Sequence, residues 1–358
     1  MSFDPQREDY ERLGLRFARS LDSNDPTNAA RAFANFGRRF AQDRDSLPQS
    51  DADRAFHLVS EATRLIDYEL PFATDERAAT IIETGHRLLD EALAIDPLCF
   101  DALRMKRAAQ SGSFEGFLEY LADECEMVRL SCETQRDEAL RAACAGERVR
   151  LATDLAMRPY LRWLAAWSEQ ALICGRNKEA LGVAERALQE DPRDKADVRY
   201  TMALAYAKLE DEDGLDKLAR SNHMAGRPRP EDDPWMLLAH LALAHKRLDM
   251  DVAGKDLDKI LATFPHAAEA LLRQTELPDG VYARLAVVSG SEDELILAIS
   301  EATVLLQEGF DSRGKGVLSS WIMHEAMLRR PQAALALIAD CQGNADEDDE
   351  PTRQGDGS

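Results

Sequence analysis

A short stretch in the middle of the chain, GRNKEALGVAERALQEDP, already restricts the folds that the chain can adopt. The stretch begins with Gly175, carries alanines at positions 180, 184 and 187, and ends in Asp191 and Pro192. Small residues at three- and four-residue spacing share one face of a helix. Proline cannot continue a helix, and it turns the preceding residue away from helical angles. The sequence therefore predicts a glycine turn followed by an amphipathic helix that ends at Asp191.

The same arrangement recurs along the chain. Asp96-Pro97 and Phe264-Pro265 predict two more helix ends. Four breaks, at Gly112, at Gly175, in LEDEDGL and in LDMDVAG, each predict a left-handed residue that ends one helix before the next begins. Helix-forming residues fill the segments between, and alternating runs of β-branched and aromatic residues are nearly absent. The chain is therefore expected to be all-α and built from helical hairpins.

The hairpins resemble the tetratricopeptide repeat, a helix-turn-helix unit of about 34 residues. A unit from about 161 to 192 fits best, and its motif positions hold Trp167, Gly175, Ala180, Ala187 and Pro192. Further units follow at 196–219 and 234–265, with weaker ones before Pro97 and around 98–124. This resemblance implies a right-handed superhelical solenoid of helical hairpins.

A longer series of segments resembles the suppression-of-tumorigenicity-seven family and its bacterial tetratricopeptide relatives. In chain order these segments are RPYLRWLAAW, CGRNKEAL, DKADVRYTMALAY, FPHAAEALL and GSEDELILAISEATVLLQEG. The resemblance covers roughly residues 80–324, without the hydrophobic membrane segments of the eukaryotic members. It implies a helical-repeat fold and carries over no catalytic residue or ligand.

Four regions are predicted from the pattern. They are an N-terminal helical cap at 1–50 with helices around 6–21 and 27–42, degenerate helical repeats at 51–150, a tetratricopeptide-like repeat region at 151–340, and a disordered acidic tail at 341–358.

The charge of the chain disfavours nucleic acid and anionic lipid as partners. Asp and Glu number 66 against 44 Lys and Arg, a formal net charge of −22, so the average field repels phosphate groups. The N-terminal segment carries no export signal, and the apolar run LLAHLALA is far below the roughly 18 residues that span a bilayer. A cytoplasmic protein without a membrane segment is expected.

The residue patterns predict no catalytic, metal or nucleotide site. The six cysteines lack a Cys-x-x-Cys pair and are interpreted as buried thiols, and His240 and His245 are spaced for different faces of a helix rather than for a metal. The run from Gly309 to Gly316 approaches a phosphate-binding loop, but Gly316 replaces the required hydroxyl residue and a helix precedes the run. We therefore predict a non-enzyme without cofactor or metal.

The remaining function is binding. In repeat solenoids the first helix of each hairpin lines a concave groove for peptides or partner helices. Cationic and aromatic residues suit anchor roles there, and the candidates are Arg158, Tyr160, Arg162, Trp163, Arg199 and Tyr200. A clamp for a C-terminal carboxylate is not expected, because Ala165 and Glu169 take its key positions.

Two functions stay open. The first is a protein- or peptide-binding scaffold, whose partner would respond to Arg162→Glu or Arg199→Glu. The second is a regulatory sensor, built on the same solenoid, that changes curvature when a ligand or peptide binds.

Overall fold

The structure, a computed structural model, describes residues 3–20, 26–142, 147–224, 232–278, 280–309 and 315–337. These residues form helices and loops, with no strand among them. The helices are α1 Pro5–Ser20, α2 Pro26–Gln42, α3 Asp51–Thr63, α4 Asp75–Ile95, α5 Phe100–Gln110, α6 Phe114–Arg141, α7 Glu147–Ile173, α8 Asn177–Glu190, α9 Val198–Leu209, α10 Glu212–Met224, α11 Pro234–Lys246, α12 Met250–Thr263, α13 Ala267–Arg273, α14 Glu292–Glu301, α15 Thr303–Leu306 and α16 Val317–Arg329. Short π and 3₁₀ turns, Arg64–Glu69 and Leu70–Phe72, extend α3. The all-α prediction is confirmed.

The predicted helix ends before proline are confirmed. Helices α4, α8 and α12 stop at Asp96, Asp191 and Phe264, each of which has an extended backbone and precedes a proline. The small-residue face that the spacing predicts in α8 is buried, at Ala180, Ala184 and Ala187 together with Val183. Helix α12 buries a larger apolar face, Ala253, Leu257, Ile260 and Leu261. Local sequence alone therefore determines where these helices stop and which face they bury.

Three of the predicted turns contain a left-handed residue. Gly175, Glu210 and Leu248 have φ angles of 74°, 57° and 61°. After each of them the next amide donates to the carbonyl five residues back, as from Arg176 to Ala171, the hydrogen bond of a Schellman motif. The break at Gly112 also exists between α5 and α6, but its backbone is not left-handed.

Helix α7 begins earlier than its sequence suggests. The best repeat unit is predicted to start at about residue 161, whereas α7 begins at Glu147 and contains Pro159 in its interior. Leu155, Met157 and Tyr160 are buried on either side of this proline. Their packing compensates for the backbone hydrogen bond that proline removes.

The chain divides into two compact units. Unit 1 comprises Met1–Ala205 together with Pro278–Ala286, and unit 2 comprises Tyr206–Leu277 and Val287–Ser358. In unit 1, α3 packs on α4, α7 packs on both α6 and α8, and α1 packs on α3 and α7. In unit 2, α11 packs on α12 and α14, and α13 packs on α14 and α16. The predicted region 151–340 thus contributes to both units, and the predicted tail at 341–358 lies outside the described residues.

Candidate functional site

A non-helical segment of the chain, residues 280–286, lies on the helices of unit 1, and we call it the strap. Side chains bind its backbone from two sides. The carboxylate of Asp67 accepts hydrogen bonds from the amides of Val281 and Tyr282, both at 3.1 Å. The guanidinium of Arg104 donates to the carbonyls of the same two residues, at 2.6 and 2.5 Å. Two buried side chains from α5 and the π turn therefore bind four main-chain groups of the strap.

Tyr282 is the aromatic anchor of the strap. Its side chain is fully enclosed, with 1% of its surface exposed. The Arg162 guanidinium lies 4.6 Å from the ring centroid, and the Phe56 ring meets it edge-on at 6.3 Å. The hydroxyl donates to Oε2 of Glu8 at 3.3 Å. The pocket therefore selects for an aromatic ring with a donor at its tip.

Arg284 is the second anchor. It donates to the carbonyl of Asp197 at 2.6 Å and to the hydroxyl of Thr201 at 3.2 Å. Its guanidinium also lies 5.1 Å from the ring centroid of Tyr200. The two anchors are two residues apart in the strap, and each contacts a different set of helices.

A buried charge network surrounds the aromatic pocket. Arg162, on α7, donates to Glu8 at 2.9 Å and, through two nitrogens, to Asp101 at 2.8 and 2.6 Å. Arg12 donates to Glu8 at 2.7 Å, and Arg104 approaches Asp101 at 3.4 Å. Buried charges are stable only when they are paired and hydrogen-bonded. Each carboxylate here meets at least two guanidinium groups.

The environment shifts the pKa of two carboxyls in opposite directions. Burial alone would raise the pKa of Glu8, but Arg162, Arg12 and Arg158 outweigh it and lower the pKa from 4.5 to about 2. At Asp67 burial dominates and raises the pKa from 3.8 to about 6, against the two amides and Arg104. Glu8 is therefore charged throughout the physiological pH range, whereas Asp67 titrates just below that range.

The six residues that the sequence proposes for a partner lie in unit 1, and most are covered. Trp163 and Tyr160 are buried, with Trp163 Nε1 donating to the carbonyl of Leu121 at 2.8 Å. Arg162 and Arg199 are buried in ion pairs, and Arg158, mostly buried, pairs with Asp154, Glu11 and Glu8. Of the six, Arg162 and Tyr200 contact the strap, at its two anchors. That the six residues bind an external partner stays a prediction, but they do not form an open wall.

A cavity of about 740 Å³ lies beside the strap in unit 1. Helices α4, α5 and α7, the start of α6 and the π and 3₁₀ turns after α3 form its wall, together with Gly280 and Val281 of the strap. Arg104 lines the cavity and also binds the strap. A molecule in the cavity would therefore contact the same side chain that holds the strap.

The structure also describes several of the other residues that the sequence analysis considered. Cys99, Cys125 and Cys132 are buried free thiols, and burial raises the pKa of Cys99 and of Cys132 to about 12. Cys174, expected to be buried, is only half-buried, and Cys144 and Cys341 lie outside the described residues. Trp167, at a motif position of the best repeat unit, is half-buried, and so is Tyr206. Gly316 precedes α16 as its N-cap, while residues 310–314 lie outside the described part. No cluster of three or more metal-ligating side chains occurs in the described ranges.

Sequence reasoning missed the residues that build the site. Glu8, Asp67, Asp101 and Tyr282 come from distant parts of the chain, and the Glu8–Tyr282 contact joins residues 274 positions apart. Periodicity reports which residues share a helix face, not what covers that face. One signal was present, because LPDGVYARLAVV interrupts the helical pattern with proline, glycine and β-branched residues.

Comparison with known proteins identified no relative of this chain. No protein-family model matches the chain, and neither curated proteins nor solved structures gave a match. The resemblance to the suppression-of-tumorigenicity-seven family therefore stays a prediction. Within the described ranges, every helix is too short or too polar to cross a membrane.

Proposed function

We propose that this chain is a cytoplasmic, non-enzymatic scaffold built as a tetratricopeptide-like solenoid, and that unit 1 binds a peptide segment of a partner protein. The strap carries this proposal. Unit 1 already holds a non-helical segment through both the amides and the carbonyls of its main chain, at Asp67 and Arg104. Peptide-binding domains obtain affinity from main-chain hydrogen bonds and specificity from side-chain pockets.

The two anchors give the expected partner a chemical description. The pocket at Glu8 and Arg162 accepts an aromatic ring with a hydroxyl, and the surface at Asp197 and Tyr200 accepts a guanidinium. A partner segment would therefore carry a tyrosine followed two residues later by an arginine. In this proposal the strap occupies the site until such a segment replaces it.

A peptide supplied in trans tests the proposal. The probe is the sequence PDGVYARLAVV, which corresponds to residues 278–288. In the full-length Tyr282→Ala, Arg284→Ala variant the strap loses both anchors, so the peptide should bind with a Kd below about 100 μM in a calorimetric titration. The native chain, whose site is occupied, should bind it at least tenfold more weakly.

Controls distinguish specific peptide binding from non-specific binding. A peptide with alanine in place of its tyrosine should not bind the double variant, and circular dichroism should show that the variant remains helical. Arg284→Ala alone, which leaves the buried Tyr282 in place, provides a milder second variant with intermediate binding. Equal affinity of the native chain and both variants for the two peptides would rule out a peptide site under the strap.

Charge reversal at Arg162 or Arg199, which the sequence analysis suggests, is a poorer test of peptide binding than the strap variants. Arg162→Glu would place a third carboxylate beside Glu8 and Asp101 in a buried network, and Arg199 is itself buried. Either reversal would disturb folding before it disturbed binding.

A second candidate function is a regulatory sensor that responds to a ligand or peptide. The observation in its favour is the shared wall between the cavity and the strap, formed by Arg104, Gly280 and Val281. A ligand in the cavity would touch the group that holds the strap carbonyls. Solution scattering with and without ligand tests this function, because a sensor changes its dimensions on binding and a passive scaffold does not.

A further inference from the structure

The cavity beside the strap has the size and lining of a small-molecule site. Its volume of about 740 Å³ lies within the range of roughly 300–1,000 Å³ that is typical of ligand pockets. Most of its wall is apolar, with side chains from five segments of unit 1: Ile66, Leu70, Ile82, Leu89, Met105 and Phe117.

Large apolar side chains are exposed at the rim of this cavity. Phe114 is 62% exposed and Ile82 is 42% exposed, and both belong to the cavity lining. Exposed apolar groups that border a concave surface are typical of binding sites. An apolar molecule that entered the cavity would cover apolar surface of both side chains, which favours binding.

The polar part of the wall holds one buried cation, Arg104, beside two carboxylates, Glu115 and Glu169. Arg104 is 3% exposed, and its Nε has no hydrogen-bond partner among the described residues. Helix α6 starts at the same wall, with Ser113 as its N-cap and Phe114 as its first residue. A helix N-terminus carries a partial positive charge and favours anions.

Three other titratable groups line the cavity, and two of them are carboxylates. Glu115 is exposed, so water screens its charge. Glu169 already has an interaction partner of its own. His86 lies on α4, on the apolar side with Ile82 and Leu89. The amide of Gln170 is engaged with the carbonyl of Phe114 at 3.1 Å.

We propose that this cavity binds a small amphipathic carboxylic acid, with the apolar body along Ile82, Phe114 and Phe117 and the carboxylate at the Arg104 end. The carboxylate would accept hydrogen bonds from the guanidinium, and the bound body would cover the exposed rim. This site does not require a partner peptide and stands apart from the scaffold proposal.

The test compares two ligands of equal length and different head group. Decanoate and decanol, each kept below the concentration at which it aggregates, are titrated into the full-length chain by calorimetry or by displacement of a fluorescent naphthalenesulfonate. Decanoate should bind at least tenfold more tightly than decanol. Equal binding of acid and alcohol, or no binding of decanoate, would overturn the assignment.

Two alanine-to-tryptophan variants locate the binding. Ala109 is exposed on α5 and lines the cavity, so Ala109→Trp fills the entrance without disturbing a core position. Ala94 is exposed on α4 and does not line the cavity, which makes Ala94→Trp the matched control. Decanoate affinity should fall at least tenfold in Ala109→Trp and remain native in Ala94→Trp. Native affinity in both variants would place the binding elsewhere and refute the proposal.

Discussion

Replacing Glu8 with glutamine removes one negative charge from the centre of unit 1 and keeps the shape of the side chain. Glu8 is fully buried and accepts hydrogen bonds from Arg12 at 2.7 Å, Arg162 at 2.9 Å and the Tyr282 hydroxyl at 3.3 Å. A neutral amide has a single oxygen, so it can accept at only one of the two carboxylate positions, and its NH₂ group would face donors at the other. Besides the hydrogen bonds at that position, the variant loses the attraction between the carboxylate and the surrounding guanidinium groups.

The shifted pKa of Glu8 gives the size of this loss. Its pKa falls from 4.5 in the unfolded chain to about 2 in the folded one, and at 1.36 kcal/mol per pKa unit this corresponds to about 3 kcal/mol. Because the folded pKa is the lower one, the stabilisation is present above pH 4.5 and is lost as the pH falls from 4.5 to 2. We expect Glu8→Gln to be less stable by about 3 kcal/mol at pH 7 and to match the native chain near pH 2.

Urea denaturation at several pH values measures this difference. Trp163 and Trp167 lie in unit 1, whereas Trp235 and Trp321 lie in unit 2. With the latter two replaced by phenylalanine, tryptophan emission reports the unfolding of unit 1 alone. The midpoint and slope at pH 7, 5 and 3 then give the free energy of unfolding for each variant.

Glu11→Gln is the matched control on the same helix. Its carboxylate is partly exposed and pairs with Arg7 and Arg158, so its loss should cost about 1 kcal/mol or less. The electrostatic reasoning fails if Glu8→Gln costs no more than Glu11→Gln at pH 7. It fails equally if the difference between Glu8→Gln and the native chain does not shrink as the pH falls towards 2.

Further substitutions probe other parts of the structure. Leu248 is 80% exposed at a φ of 61°, so Leu248→Gly should stabilise unit 2 by about 1 kcal/mol in urea denaturation, whereas Gly175→Ala should destabilise unit 1 by a similar amount. Burial raises the pKa of Asp67 to about 6, so the stability of the native chain should fall as the pH rises from about 4 to 6, and Asp67→Asn should remove this dependence. The hydroxyl of Tyr160 is buried without a hydrogen-bond partner among the described residues, and Tyr160→Phe should therefore raise the thermal midpoint or leave it unchanged.

The sequence predicts the features that depend on a few neighbouring residues. Asp191 ends α8 because Pro192 follows it, and Gly175 adopts the left-handed turn that its position requires. Leu248, whose side chain disfavours such a turn, also adopts a left-handed backbone at the break that LDMDVAG predicts. The handedness of a solenoid and the identity of a partner depend on more than local pattern and stay predictions.

Arg162 shows why the site itself could not be predicted. The sequence proposes it for an open groove, since an arginine on a helix face is usually solvated. The side chain is buried because Glu8, Asp101 and Tyr282, from three remote segments, cover that face and neutralise its charge. A single sequence contains no periodic signal for such contacts. The stretch around Tyr282 is recognisable as non-helical, but its sequence does not indicate which helices it contacts.

The strap also makes the folding of unit 1 depend on the order of synthesis. Glu8 leaves the ribosome first, and Tyr282, its partner, follows 274 residues later. At about 5–20 residues per second the ribosome needs on the order of tens of seconds to cover that distance. During this interval the aromatic pocket lacks its ring and Arg104 lacks the two carbonyls that it binds in the finished protein. A fragment that ends at residue 205 would remain permanently in this incomplete state, so expression of unit 1 as a separate domain requires the strap to be supplied with it.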